Sequence, residues 1–179
     1  MGYYVRKFTK SKWTKTDEVN KNELSSDACT SCLRTSSNKL SLWEINDLKS
    51  SSLEEVVLAL VTSLDKIDRM QLLYFEKKHL AKEKVVKSSG DTPIKELKEK
   101  HSDLTEITYP KLDKIVDIYI ASIENGYIKK YSKKEVEQIV NKAILDKRLV
   151  LEDTREIKNI NIRKLLGDNT CVKCGSEVV

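Results

Sequence analysis

Four cysteines fall in two Cys-x-x-Cys pairs, Cys29-Thr-Ser-Cys32 and Cys171-Val-Lys-Cys174-Gly175, and no other pattern in the chain is as specific chemically. A two-residue spacing lets both thiolates face one cation at about 2.3 Å while turn amides hydrogen-bond to sulfur. Gly175 strengthens the second pair, because the residue after the second cysteine often needs a backbone conformation that glycine adopts cheaply. Cys29/Cys32 is followed by Leu33-Arg34 and lacks that glycine. The expectation is one structural zinc held by Cys29, Cys32, Cys171 and Cys174, although 138 residues separate the two pairs. Two alternatives stay open: a site made of one pair plus a histidine, and thiols with no metal, Cys32 being a small core residue. A closed four-thiolate site has no open position for water, so the zinc reading points to structure and not to catalysis. The strand-to-helix setting of a redox dithiol is missing around both pairs.

The segment Tyr3–Trp13 interleaves Arg6, Lys7, Lys10 and Lys12 with Tyr3, Tyr4, Phe8 and Trp13. Cations for phosphates beside rings that stack on bases are what a single-stranded nucleic-acid surface requires. The same letters suit an edge strand whose lysines prevent edge-to-edge pairing, and this is the preferred reading. Lys77, Lys78, Lys82 and Lys84 would form a second contact for nucleic acid, but Glu83 interrupts them and a solvated helix face is the preferred reading. The only histidines are His79 and His101. His101-Ser102-Asp103 hints at a general base with an orienting carboxylate, yet residues two apart do not face each other on a helix. A surface or helix-end histidine is the expectation. The acidic pairs Asp65/Asp68 and Glu54/Glu55 read as helix-surface charge. Gly-rich phosphate loops, H-E-x-x-H and G-x-S-x-G are absent.

The elements that must position these residues belong to a chain of 179 residues, long enough to bury a core. Hydrophobic residues make up 39% and charged residues 34%, with mean hydropathy −0.48, a folded and well-solvated composition. No apolar run approaches the roughly 18 residues of a bilayer span, and no apolar stretch follows Arg6 and Lys7 as a secretory signal would. The expectation is a cytoplasmic protein with reduced thiols and no membrane partner. The net charge of +5 is uneven: residues 1–22 carry six basic and two acidic side chains, and residues 76–100 carry eight basic and five acidic. These are the places to look for an anionic partner.

Only five Gly and two Pro occur, which favours long elements and few hairpins. Tyr3–Phe8 and Leu40–Ile45 read as strands of one small sheet. Ser52 and Glu55 fit a capping box opening a helix striped by Leu53, Val56, Val57, Leu60, Val61 and Leu64. Met70–Phe75 is a buried strand or a helix end; periodicity leaves both open. Lys77–Lys87 is a charged amphipathic stretch. Thr92 with Pro93 caps a short helix over Pro93–Lys100, and Pro110 opens another that Gly126 ends. Ser132 and Glu135 form a second capping box, and Ile157–Leu166 is a weaker helix stopped by Gly167. The expected fold is α+β and predominantly α, with amphipathic helices packed on a small N-terminal sheet. Residues 1–167 form one domain, and residues 168–179 form a Cys-x-x-Cys tail packing back on the N-terminal region.

The opening aromatic-basic strand, Leu40-Ser-Leu-Trp-Glu-Ile45 and Gly90-Asp-Thr-Pro93 together resemble, in general look, small bacterial proteins from mobile-element or phage-defence neighbourhoods. That resemblance implies a setting and assigns no residue. The functional expectation is a non-enzymatic accessory or protein-interaction subunit of a multi-protein bacterial system, such as phage defence or toxin-antitoxin, with a protein partner. The alternative is a nucleic-acid-binding protein using Arg6, Lys7, Lys10, Lys12 and Trp13. A third reading is an enzyme of unmarked type around His101 and Asp103. Oligomeric state is left open.

Overall fold

The computed structural model describes residues 2–14, 18–33, 35 and 37–167. Six strands, β1 (Tyr3–Lys7), β2 (Leu40–Ile45), β3 (Met70–Glu76), β4 (Val85–Lys87), β5 (His101–Leu104) and β6 (Ile128–Tyr131), form one open sheet in the order β4-β5-β2-β1-β3-β6. Every neighbouring pair is antiparallel. This corrects the expectation of a predominantly α protein with a small N-terminal sheet. The sheet has six strands and runs through the chain as far as Tyr131, so the fold is an open sheet clad by helices. It also corrects the position of β1, which pairs with β2 on one side and β3 on the other and is no edge strand.

Period-2 alternation sends successive residues of each strand to opposite faces, and both faces are apolar. On one face, Val5, Trp43, Ile45, Met70, Leu72 and Tyr131 pack under α2 (Ser50–Ser63), α3 (Lys95–Lys98), α5 (Lys133–Leu145) and α6 (Ile160–Leu165). On the other, Tyr4, Leu40, Leu42, Leu73, Phe75 and Leu104 pack under α1 (Ser26–Cys32) and α4 (Tyr109–Glu124), with Phe8 and Trp13 filling the gap between them. An antiparallel sheet with two greasy faces needs helices on both, which yields three layers. Met70–Phe75 is a strand because tertiary pairing decides it: Leu72 faces one core and Leu73 the other.

Local signals mostly held, with instructive departures. Ser132 and Glu135 do form a reciprocal capping box, and Gly126 ends its turn at φ +70. Ser52 and Glu55 do not: α2 starts at Ser50, Ser52 Oγ donates to Asp47 Oδ1 (2.6 Å), and the Glu55 carboxylate goes to Lys100 and Arg148. Thr92 is no cap either, since it is buried and its hydroxyl meets Thr62 Oγ1 at 3.1 Å. The helix it was expected to open begins only at Lys95. Lys77–Lys87 is no helix of that length: a 3-10 turn over Lys77–Leu80 leads to β4 at Val85–Lys87.

Candidate functional site

Titratable groups concentrate where β2, β5 and β4 run side by side. Register places Glu44 opposite Tyr4, Ser102 opposite Leu42, and Lys87 opposite Ser102, so these side chains share the α4 face. Glu44 Oε1 accepts from Lys87 Nζ (2.8 Å) and from Ser102 Oγ, and Oε2 accepts from Lys77 Nζ. Lys77 also lies over the Tyr4 ring, 5.4 Å from its centroid. Burial alone would push the Glu44 carboxyl up; Lys77, Lys87 and Ser102 together outweigh it and hold the group at about 2. A carboxylate so saturated by donors cannot serve as a general base near neutral pH. Its work is to tie four strands and the turn after β3 into one hydrogen-bonded cluster. Nothing in the sequence singled out Glu44. The signal available was a carboxylate in phase with Leu40 and Leu42 on a largely apolar strand.

The opposite face of β5 carries His101 and Asp103. In a strand, residues two apart do share a face, so the helix argument that separated them does not apply. The expectation of a surface or helix-end histidine is corrected as well, because His101 is buried on a strand. Its ring meets Trp43 edge-on at 5.0 Å, and Nδ1 lies 2.8 Å from Ser88 Oγ. Desolvation depresses its pKa, with Arg6 and Lys87 adding to the effect against Asp103. Gly90 lies against the same two rings: a Cβ there would stand 2.5 Å from Trp43 Cη2. The imidazole is therefore wedged between Trp43 and Gly90, biased toward its neutral form by burial, and hydrogen-bonded to a serine. No carboxylate hydrogen-bonds to it among the described residues, so the orienting partner of a nucleophile–base–acid relay is missing there.

Cys29 and Cys32 lie on α1, not in the knuckle turn their spacing suggested. Cys32 is 4% exposed and packs with Tyr4, Phe8 and Leu42, while Cys29 is half-buried at the margin of that cluster. Among the described residues no group of three or more His, Cys, Asp or Glu could hold a metal ion. Cys171, Cys174 and the rest of the 168–179 tail lie outside the described residues.

The basic aromatic segment is largely interior. Trp13 is buried between Phe8 (5.7 Å) and Tyr119 (5.4 Å), which leaves no ring face for a base. Arg6 donates to the Cys32 carbonyl (3.0 Å) and to that of Ser41, fastening α1 to the sheet. Beside it, burial pushes the Tyr119 phenol up to about 12. Lys7 and Lys12 are exposed, and the Lys10 amide donates to Gln71 Oε1 (2.8 Å). The segment thus presents lysines without free aromatic partners. In the second cluster Lys77 is held by Glu44, Lys78 by Glu76 (2.8 Å) and Lys84 by Glu106; Lys82 is exposed.

What faces outward is of another kind. Four of the seven large apolar side chains exposed among the described residues fall between residues 145 and 165: Leu145 (81% exposed), Leu151 (52%), Ile160 (41%) and Leu165 (53%). No helix among the described residues is long and apolar enough to cross a membrane. The fold is thus an open antiparallel sheet clad by helices on both faces, with its buried charges consumed internally. Compared with known proteins, the chain matches no family model, no curated protein and no solved structure.

Proposed function

We propose that the protein is a non-enzymatic interaction subunit of a multi-protein bacterial system, working in the cytoplasm. The observation that carries this reading is the concentration of exposed large apolar side chains in residues 145–165, where Leu145, Leu151, Ile160 and Leu165 make four of the seven found among the described residues. Apolar side chains concentrated on one stretch of surface are a common mark of a protein-binding site. The saturation of Glu44 and the seclusion of His101 support it, because both groups are spent on holding the fold. The nucleic-acid alternative has lysine charge in its favour but lacks exposed rings at Phe8 and Trp13.

The test is affinity isolation of the full chain from its native host at physiological salt, alongside a Leu145→Asp/Leu165→Asp variant. We expect a stable stoichiometric partner with the native chain and its loss with the variant. Isolation of no stable partner would overturn the reading, as would a partner indifferent to both substitutions.

A further inference from the structure

The sheet ends at β6, and the phase of its hydrogen bonds can be read from its flanks. The Tyr74 amide donates to the Tyr127 carbonyl (3.1 Å), and Leu73 stands opposite Ile128. Directly opposed residues of an antiparallel pair exchange bonds at every second position, so the bonded pairs are Leu72 with Lys129 and Met70 with Tyr131. On the inner side of β3, Phe8 donates to the Gln71 carbonyl (2.8 Å), which gives the same phase. The main chain at Ile128 and Lys130 is thereby directed away from the sheet, toward solvent. The Ile128 amide turns back to Gly126 (2.8 Å), leaving the Ile128 carbonyl and both main-chain groups of Lys130 at the edge.

Charge surrounds that edge. Lys129 and Lys130 are both exposed and project to opposite faces of the strand. Lys133 and Lys134 follow at the start of α5 and are exposed too. Lys133 reaches Glu137 at 3.8 Å, whereas Lys130 and Lys134 form no ion pair among the described residues. The other edge differs: at β4, Lys87 is bound to Glu44 and to the Glu99 carbonyl.

We propose that β6 is a docking edge for an acidic, extended segment of a partner protein, which adds to the sheet as a seventh strand with acidic side chains on both of its faces. Main-chain pairing supplies affinity in such strand addition, and flanking side chains supply selectivity. A second copy of this chain is a poor occupant, since it would set Lys129 and Lys130 against their own likenesses. The proposal rests on the interaction reading above and names its partner's chemistry.

Its test uses the full chain and two fluorescent peptides, one repeating Glu-Glu-Thr-Val so that glutamates stand on both faces of the strand, the other with Lys in place of Glu. Lys130→Pro removes an amide that points outward, so the ladder to β3 keeps its bonds; Lys129→Glu/Lys130→Glu is the companion variant should proline disturb the strand. We expect the native chain to bind the acidic peptide and not the basic one, Lys130→Pro to weaken binding about tenfold at an unchanged melting temperature, and the double variant to reverse the preference. Equal binding of both peptides, or no binding of the acidic one, overturns the proposal. A poly-dT oligonucleotide that outcompetes the peptide and binds Lys130→Pro as well as the native chain also overturns it, as does dimerisation that Lys130→Pro abolishes. Peptide binding that persists while the host isolation fails removes the interaction reading's partner. A host partner retained equally by Lys130→Pro removes only the β6 assignment.

Discussion

Glu44 gathers an ammonium from each side and a hydroxyl from the neighbouring strand, and this makes it the most consequential single charge in the molecule. Its folded-state pKa of about 2 lies below the ordinary 4.5. The stabilisation is therefore fully present above about 4.5 and is lost as pH falls toward about 2. Glu44→Gln should cost about 2 kcal/mol at neutral pH. The gap between variant and native chain should close across that acidic window when chemical denaturation is followed at several pH values. The cysteines give a second expectation at this scale. Cys32 packs in the core and Cys29 at its margin, so Cys32→Ser should lose about 1–3 kcal/mol and Cys29→Ser within about 0.5 kcal/mol. Equal losses for the two, with one equivalent of zinc bound per chain by metal analysis, would instead establish the four-thiol clasp. The residue types at both sites were readable from sequence; their settings were not. The Cys-x-x-Cys spacing of 29 and 32 is also one helical turn, and spacing alone does not choose between a knuckle and a helix.

Elements were legible where they were long or strongly patterned. β1, β2, α2, α4 and α5 carry clear periodicity, and their apolar positions are those that point into the two cores. The later strands escaped notice for a physical reason. β4, β5 and β6 have three or four residues each, and Val-Val-Lys, His-Ser-Asp-Leu and Ile-Lys-Lys-Tyr are too short and too polar to show alternation. Edge strands carry lysine to discourage unwanted pairing, so β6 looks in sequence like a loop. The Ser52/Glu55 box failed because α2 starts earlier, at Ser50, so Ser52 lies inside the first turn and its hydroxyl donates to Asp47. Gly90 gives the test at this scale. Its backbone has no need of glycine's freedom, but Trp43 and His101 occupy the space of a side chain. Gly90→Ala should destabilise by about 1–3 kcal/mol and disturb the Trp43 fluorescence, while a Ser89→Ala control one residue earlier should leave both unchanged.

For the whole molecule, β1 is the joint on which the sheet depends. It alone connects the β4-β5-β2 group to the β3-β6 pair. Deleting residues 3–8 removes two ladders together and should abolish the cooperative thermal transition seen by circular dichroism, leaving a chain that binds hydrophobic dyes. If the truncated chain still melted in one sharp step, the two halves would have to hold together through helix packing alone.

The same central place governs how the chain must assemble during synthesis. β1 precedes both of its neighbours in the chain, and Tyr3 meets its partner Glu76 across most of the first half of the sequence. Until residues 40–45 and 70–76 have been made, a strand carrying Tyr4, Val5 and Phe8 waits with both hydrogen-bonding sides open. Such long-range closure slows folding and lengthens the time in which a nascent strand can meet the wrong partner.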